Sequence, residues 1–326
     1  MNSRRSLLIL MSAVALAGLL LGACSPASMP AAAPAAQPTT LKIAVLPILD
    51  ALPMYVAQAK GYFKAQGVTV EFIPVSSAAE RDQVMAAGQA DGMINDLIST
   101  LFYNKDQIQI QIVSFARTAT KDFPQYRILA SGSSGITTVE DLKGVPIGIS
   151  EGSVIAYTTD RLLEAAGFAP DEIVTVAVPS IADRMALLNS GELKAANLPD
   201  PLSSLAIQNG AVPIIDDTTH PEYGNSLISF RKAVIDAHPE AVRGFLAAVE
   251  QASKDINADK TQWESLLTEQ KLVPEPLIGS YEIPTFPTGS LPTEAQWNDV
   301  LAWAKEKGLV TSDVSYSDSV TATFLP

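Results

Sequence analysis

Cysteine is almost absent from this chain. Cys24 is the only one in 326 residues, so no internal disulfide can form and a cysteine-ligated zinc site has nothing to build on. Histidine is nearly as scarce. His220 and His238 each stand directly before a proline, with no second His or Cys at metal-ligand spacing, and each reads as a loop or helix-entry residue. No metal is expected. Positive charge is short as well: 22 Lys+Arg face 35 Asp+Glu for a net charge of −13, or −15 without Arg4 and Arg5 (20 minus 35). A chain this acidic is poorly suited to a phosphate backbone, so nucleic acid is not an expected partner. The sequence has no G-x-S-x-G elbow, no phosphate loop ending in Gly-Lys-Ser/Thr and no G-x-G-x-x-G after its first strand. Nothing in it demands catalysis, and no catalytic residue or cofactor is assigned. What is abundant is apolar material: 47% of residues are hydrophobic and 17% charged, enough for a sizeable core and two lobes.

The N-terminus carries an address. Arg4 and Arg5 precede the apolar run Leu7–Leu21, and Leu21-Gly22-Ala23-Cys24 follows, the order of a charged, an apolar and a small-residue region. As a helix, that run would span about 22 Å, short of the roughly 30 Å hydrocarbon core. LGAC resembles the lipobox of bacterial lipoproteins, which implies cleavage after residue 23 and acylation of Cys24. Residues 25–40, with prolines at 26, 30, 34 and 38, have a composition that builds no core and stays extended. The expectation is a signal peptide over 1–23, a lipidated Cys24 with an Ala/Pro-rich linker to residue 40, and a folded body held at the outer side of a membrane without a spanning helix.

The body opens on Leu41–Phe63. An apolar strand, Leu41–Leu46, runs through the loop Pro47–Pro53 into a helix closed by Gly61, the opening unit of an open α/β sheet whose ligands sit beyond the carboxyl ends of the strands. Asp50 lies in that loop, where a lone Asp is more often a turn or cap residue than a ligand contact. The form recurs. Ala90–Ile94 empties into Asn95-Asp96 before an apolar helix, and both residues are good helix caps as well as cleft candidates. After the glycine-rich run Ser131–Gly135, read as a hinge, Val145–Ser150 leads through Glu151-Gly152-Ser153 into the helix Val154–Ala166. Ser153 stands at the N-cap, where a helix end also offers free N–H groups to a ligand. Tyr157 falls one turn further on, facing either core or cleft. Leu193–Leu198 ends at Pro199-Asp200-Pro201, where two prolines restrict the backbone around a carboxylate that can cap a helix or meet a ligand. From Asn225 the chain returns to the first lobe. Pro274–Pro292 fits neither period, and the helix that follows opens with a Thr293/Gln296 capping box. The three tryptophans read as core.

Six stretches carry a resemblance spanning most of the body: PMYVAQAKGYFKAQGVTVEF (Pro53–Phe72), AAGQADGMIND (Ala86–Asp96), TTVEDLKGVPIGISEGS (Thr137–Ser153), LLEAAGF (Leu162–Phe168), LLNSGELKAANLPDP (Leu187–Pro201) and HPEAVRGFLAAVEQA (His238–Ala252). In this order they resemble the extracytoplasmic substrate-binding proteins of ABC importers, in the branch grouping sulfonate-, nitrate- and thiamine-pyrimidine-binding proteins. The resemblance implies a two-lobed α/β fold of the periplasmic-binding-protein type II class, with a mixed sheet in each lobe and a hinge between them. Lobe 1 is expected over 41–130 and 220–326 and lobe 2 over 131–219. It also implies a monomer that delivers a small solute to a permease and its ATPase. Contacts are expected from Asp50, Asn95 and Asp96 on one lobe and Glu151, Ser153, Tyr157 and Asp200 on the other, with Phe286 and Tyr281 as a lid or stacking surface. These are mostly acceptors. An amine or nitrogen heterocycle of the thiamine-pyrimidine kind suits them, whereas a sulfonate or nitrate would rely on helix N-termini, Asn95 and Arg117. The same branch resembles pyrimidine synthases that use a lysine-bound cofactor, a histidine and a cysteine-rich motif. A body without cysteine behind an export signal argues against an enzyme. A receptor that passes its ligand to a sensor is a third reading.

Overall fold

In the computed structural model, residues 39–326 are described. The signal segment, Cys24 and the linker through residue 38 lie outside the described residues, and with them the lipidation expectation. The strands in chain order are β1 (Thr39–Val45), β2 (Val68–Pro74), β3 (Gly92–Asn95), β4 (Ile110–Thr118), β5 (Tyr126–Ala130), β6 (Pro146–Ile149), β7 (Val174–Ala177), β8 (Ala195–Pro199), β9 (Val212–Asp216) and β10 (Asn225–Arg231). They form two five-stranded sheets, ordered β2-β1-β3-β10-β4 and β7-β6-β8-β5-β9. In each, three neighbouring strands run parallel and a fourth is inserted antiparallel before the fifth.

Local sequence explains these elements. In β1, Leu41, Ile43 and Val45 face one core cluster while Ala44 faces another, as expected of a strand covered by helices on both sides. The amphipathic helix Pro239–Ala258 lays Phe245 against Phe63 with ring centroids 5.2 Å apart. Each such side chain contributes about 1.5–3 kcal/mol on burial. Trp263, Trp297 and Trp303 are buried, and the capping box of Thr293 and Gln296 opens the helix Glu294–Glu306. No helix among the described residues is long and apolar enough to cross a membrane.

Pairing corrects the expected boundary at Ser131. Strand β5 pairs with β8 and β9, so the chain has entered the second sheet before Tyr126. The crossings are therefore residues 119–125 and 217–224. Asp217 ties them together: its Oδ1 accepts from the Gln125 backbone N–H at 2.8 Å and its Oδ2 from that of Tyr126 at 3.2 Å. A Cβ on Gly224 would lie 2.0 Å from Asp217 Oδ2, so the glycine makes room for this staple. The Ser131–Gly135 run lies inside the second lobe. A Cβ on Gly132 would lie 2.4 Å from the Gly210 carbonyl oxygen, so close backbone approach explains that glycine.

The helix Glu294–Glu306 packs on the first-lobe helix Leu97–Asn104 and also reaches the second lobe. Its Asp299 accepts from the Tyr157 hydroxyl at 2.6 Å and from Arg161 Nε at 3.0 Å. Trp303 Nε1 donates to Asp160 Oδ2 at 2.8 Å. Apolar residues of both lobes and this helix share one cluster, so the lobes are packed against each other.

Candidate functional site

The carboxyl ends of β1, β3, β6, β7 and β8 converge on a cavity of about 60 Å³ between the lobes. At about 10–15 Å³ per water, it holds roughly four to six water-sized groups. The walls are largely apolar, with Leu46, Ile48 and Ile94 from the first lobe facing Val154, Ile155 and Ile181 from the second. This is the position at which open α/β sheets hold ligands.

The polar residues here are set by helix starts. Asp96 caps the helix Leu97–Asn104, its Oδ1 accepting from the Ser99 backbone N–H at 2.8 Å, while Arg81 Nη1 stands 3.4 Å from its Oδ2. Arg81 is shared: its Nε is 2.8 Å from Asp82 Oδ1. Burial works against the Arg81 charge, and Asp82 with Asp96 more than offsets it, so its pKa is raised. For Asp96 burial dominates, and Arg81 and the Ser99 N–H only partly offset it. Its carboxyl is held above the ordinary value. Ser153 caps the helix Val154–Ala165 and donates to the Ser150 carbonyl at 2.8 Å. Asn95 is engaged with Thr100 and Ser229 at 2.9 and 2.7 Å. Tyr126, Ser150 and Ser226 also line the cavity.

The residue that the sequence reading missed is Arg184. It sits one turn into the helix Ile181–Ser190, capped by Ser180, and its side chain folds back over the helix start, as long helical side chains do. Nε donates to the Asn197 carbonyl at 2.8 Å and Nη1 to the Val178 carbonyl at 2.6 Å. Arg184 is fully buried and lines the cavity. It has no carboxylate partner among the described residues, and its Nη2 has no hydrogen-bond partner there. Burial alone lowers its pKa to about 10. A buried cation without a counter-ion is costly to keep, and a bound anion would supply what it lacks.

Of the residues singled out from the sequence, Asn95, Asp96 and Ser153 meet at this cavity. Asp50 and Asp200 do approach one another, but through Arg117 and away from the cavity lining. Arg117 Nη1 lies 3.5 Å from Asp50 Oδ1 and Nη2 lies 3.7 Å from Asp200 Oδ2. Asp200 is held further by Arg127 at 2.6 Å, by Ser203 and Ser204, and by the Tyr281 hydroxyl. Burial pushes the Asp200 carboxyl upward, and Arg117 with Arg127 holds it below the ordinary value. Both carboxylates are thus spent on a buried hub beside the crossings, which also engages Nη1 and Nη2 of Arg117 and leaves its buried Nε without a partner among the described residues. Glu151 is exposed in its turn and absent from the cavity wall. Tyr157 turns to Asp299 and lines a separate groove with Tyr223 and Gln296. Phe286 is core, its backbone N–H and C=O both bound to the Asn257 side chain, so it has no freedom to act as a lid.

The model of the family described as NMT1/THI5 like matches residues 49–262. A relative of Escherichia coli named for binding aliphatic sulfonates is 29% identical over 170 residues, 52% of this chain and 53% of that protein. The chain thus spans about half the length of that relative. The 4-amino-5-hydroxymethyl-2-methylpyrimidine phosphate synthase of Aspergillus parasiticus is 24% identical over 220 residues, 64% of this chain and 63% of that protein. Among solved structures, the alkanesulfonate-binding protein SsuA of Xanthomonas axonopodis pv. citri, bound to MOPS, superposes with a TM-score of 0.72 at 18% identity. The match covers 88% of this chain and 99% of that one, and the two share a fold.

Proposed function

The chain belongs to the NMT1/THI5-like family, and on that premise we propose that it is the solute-capturing subunit of an ABC importer and that its solute is a small organic anion. The observation that carries this reading is Arg184, buried at the interlobe cavity without a counter-ion among the described residues. Ligand between the lobes would contact both in the closed form and one in the open form, and that difference in contacts shifts the population toward closure. A permease and its ATPase would then receive the closed, loaded form. Acylation of Cys24 would hold the body at the extracytoplasmic face of the membrane, a reading supported by the LGAC motif alone.

Relatives that make a pyrimidine phosphate keep a nitrogen-heterocycle ligand as the second reading. One feature favours the anion: an uncharged ring leaves Arg184 uncompensated. Capture rather than catalysis is supported because neither His220 nor His238 lines the cavity and Cys24 is the only cysteine.

A thermal-shift scan of the purified protein tests this. A ligand at 100 times its Kd adds about 2.7 kcal/mol. For about 290 residues with an unfolding entropy near 2.1 cal/mol/K each, that is a rise of roughly 4–5 °C. Short-chain sulfonates or carboxylates should give this shift, and stabilisation by pyrimidines but by no anion would reject the reading.

A further inference from the structure

The segment Pro274–Pro292 is fastened to both lobes. From that placement we infer that it acts as a strap, a third and non-covalent connection that restrains the parting of the lobes, with the Tyr281 hydroxyl on Asp200 as its fastening. The inference rests on the reading of two lobes that part to admit a solute, and it is independent of what that solute is.

The later part of the segment belongs to the first lobe. The Asn257 side chain holds the Phe286 backbone N–H and C=O at 2.8 and 2.9 Å. The Gly289 N–H donates to Glu250 at 2.9 Å, and the Ser290 carbonyl accepts from the Phe115 N–H of β4 at 3.1 Å. The earlier part reaches the second-lobe helix Leu202–Gln208. Gln208 Nε2 donates to the Pro276 carbonyl at 3.4 Å. Leu205 packs in the same core cluster as Leu277, while its neighbour Ala206 packs in a second-lobe cluster. Beyond the single 3-10 turn Glu275–Leu277 the segment is irregular, and an irregular stretch of this length in a compact domain usually serves a function.

The fastening stands beside the first crossing. Tyr281, Leu277 and Ser204 line a cavity of about 310 Å³ together with Asp122 and Phe123 of residues 119–125. Two crossings leave the lobes free to rotate about the line that joins them, and a third attachment restrains that rotation. Asp200 is a firm anchor for it, since Arg127, Ser203 and Ser204 of its own lobe fix the carboxylate. Arg117 and Tyr281 approach the same carboxylate from the first lobe, and of these two Tyr281 alone stands on the strap.

Hydrogen exchange of the full chain, followed without any ligand, tests this. Tyr281→Phe removes one hydroxyl, while Asp200 keeps its arginines and serines and the adjoining cavity admits water in the vacated place, so the fold is retained. A hydrogen bond to a charged acceptor corresponds to roughly tenfold or more in an equilibrium. The hydrogen-bonded amides of Ile48, Ile155 and Arg184 belong to residues that line the interlobe cavity and not the one beside the strap. They should exchange at least about fivefold faster in the variant. Ser204→Ala removes a partner of the same carboxylate from within the second lobe, and should leave those amides within about twofold of wild type. Unchanged exchange in Tyr281→Phe, faster exchange confined to residues 274–284 and 200–208, or an equal effect of both substitutions overturns the inference and leaves the capture reading in place. If the three amides of the wild type exchange no faster than those of Ile43 and Ile128 inside the sheets, the lobes do not part, and the capture reading fails together with the strap.

Discussion

Replacing Arg184 with methionine separates a binding residue from a structural one, because the two roles predict stability effects of different size. Burial lowers the Arg184 pKa from 12.5 to about 10. At 1.36 kcal/mol per unit, the folded state bears about 3 kcal/mol for keeping the group charged. Below pH 10 both folded and unfolded chains hold the proton, so the whole of that cost is present at neutral pH. Against it stand the hydrogen bonds to the carbonyls of Asn197 and Val178 at 2.8 and 2.6 Å, about 1.5–3 kcal/mol each for a charged donor. The two sides nearly cancel. Arg184→Met, of similar volume and no charge, should therefore change the free energy of unfolding by less than about 2 kcal/mol in either direction. Breaking a buried ion pair costs about 3–5 kcal/mol by comparison. Binding should respond very differently, since removing the charged partner of a buried anion costs about 2–5 kcal/mol, on the order of 30- to 5,000-fold in Kd. Urea denaturation of wild type and variant measures the first quantity. Calorimetric titration with whichever acid binds the wild type measures the second. A loss above about 3 kcal/mol in stability, or an affinity within threefold of wild type, would refute the assignment of Arg184 to the ligand.

Two further outcomes follow from the surroundings. A Cβ on Gly148 would lie 2.7 Å from Leu193 Cδ1 and 3.3 Å from Arg184 Cγ, so Gly148→Ala should cost about 1–3 kcal/mol in urea melts and weaken acid binding by displacing the arginine stem. At the crossings, burial raises the Asp217 pKa to about 7 despite two backbone N–H donors. Its folded pKa exceeds the unfolded one, so its contribution to stability is complete below about pH 4 and is lost as pH rises toward about 7. Asp217→Asn should flatten the fall in urea midpoint between pH 4.5 and 8, and an unchanged slope would show that the carboxylate titrates normally.

Much of the architecture was legible because it is local. A strand that empties into a polar loop and then a capped helix specifies Asn95, Asp96 and Ser153 as residues at a strand end, whatever the rest of the chain does. The Ser131–Gly135 run misled because glycine serves close backbone approach as well as flexibility, and the Gly210 carbonyl that Gly132 must clear is remote in sequence. Arg184 was overlooked because its helix reads as a packing element, yet a signal was present. Ile181, Arg184 and Leu188 fall three and four residues apart, so the arginine lies on the helix's apolar stripe. Arg81 does the same between Ala78 and Met85. An arginine on the inward stripe of an amphipathic helix must find an anion inside, either a carboxylate of the chain or one that arrives with a ligand.

Which of those two it finds is not a local property, and the four central carboxylates illustrate why. Asp50, Asp96, Asp200 and Asp217 are all buried, and the first three read as candidate ligand contacts from sequence. Asp200 receives Arg117, Arg127, two serines and Tyr281, and Asp50 receives Arg117 and Gln125. Asp217 takes two backbone N–H groups at the crossings. Asp96 alone of the four lines the cavity, and its cation is divided with Asp82. Arg117 and Arg127 come from strands β4 and β5, which flank the first crossing, so Asp50 and Asp200, the two carboxylates that those cations meet, cluster where the lobes join, and Asp96 lies where they face each other. A hinge gains from carboxylates whose charges are met within the chain, because its geometry then holds with or without a ligand. A recognition site requires the reverse, a charge that the chain itself does not answer, and by that criterion the cavity between Asp96 and Arg184 is the place where an incoming molecule changes the energy of the fold.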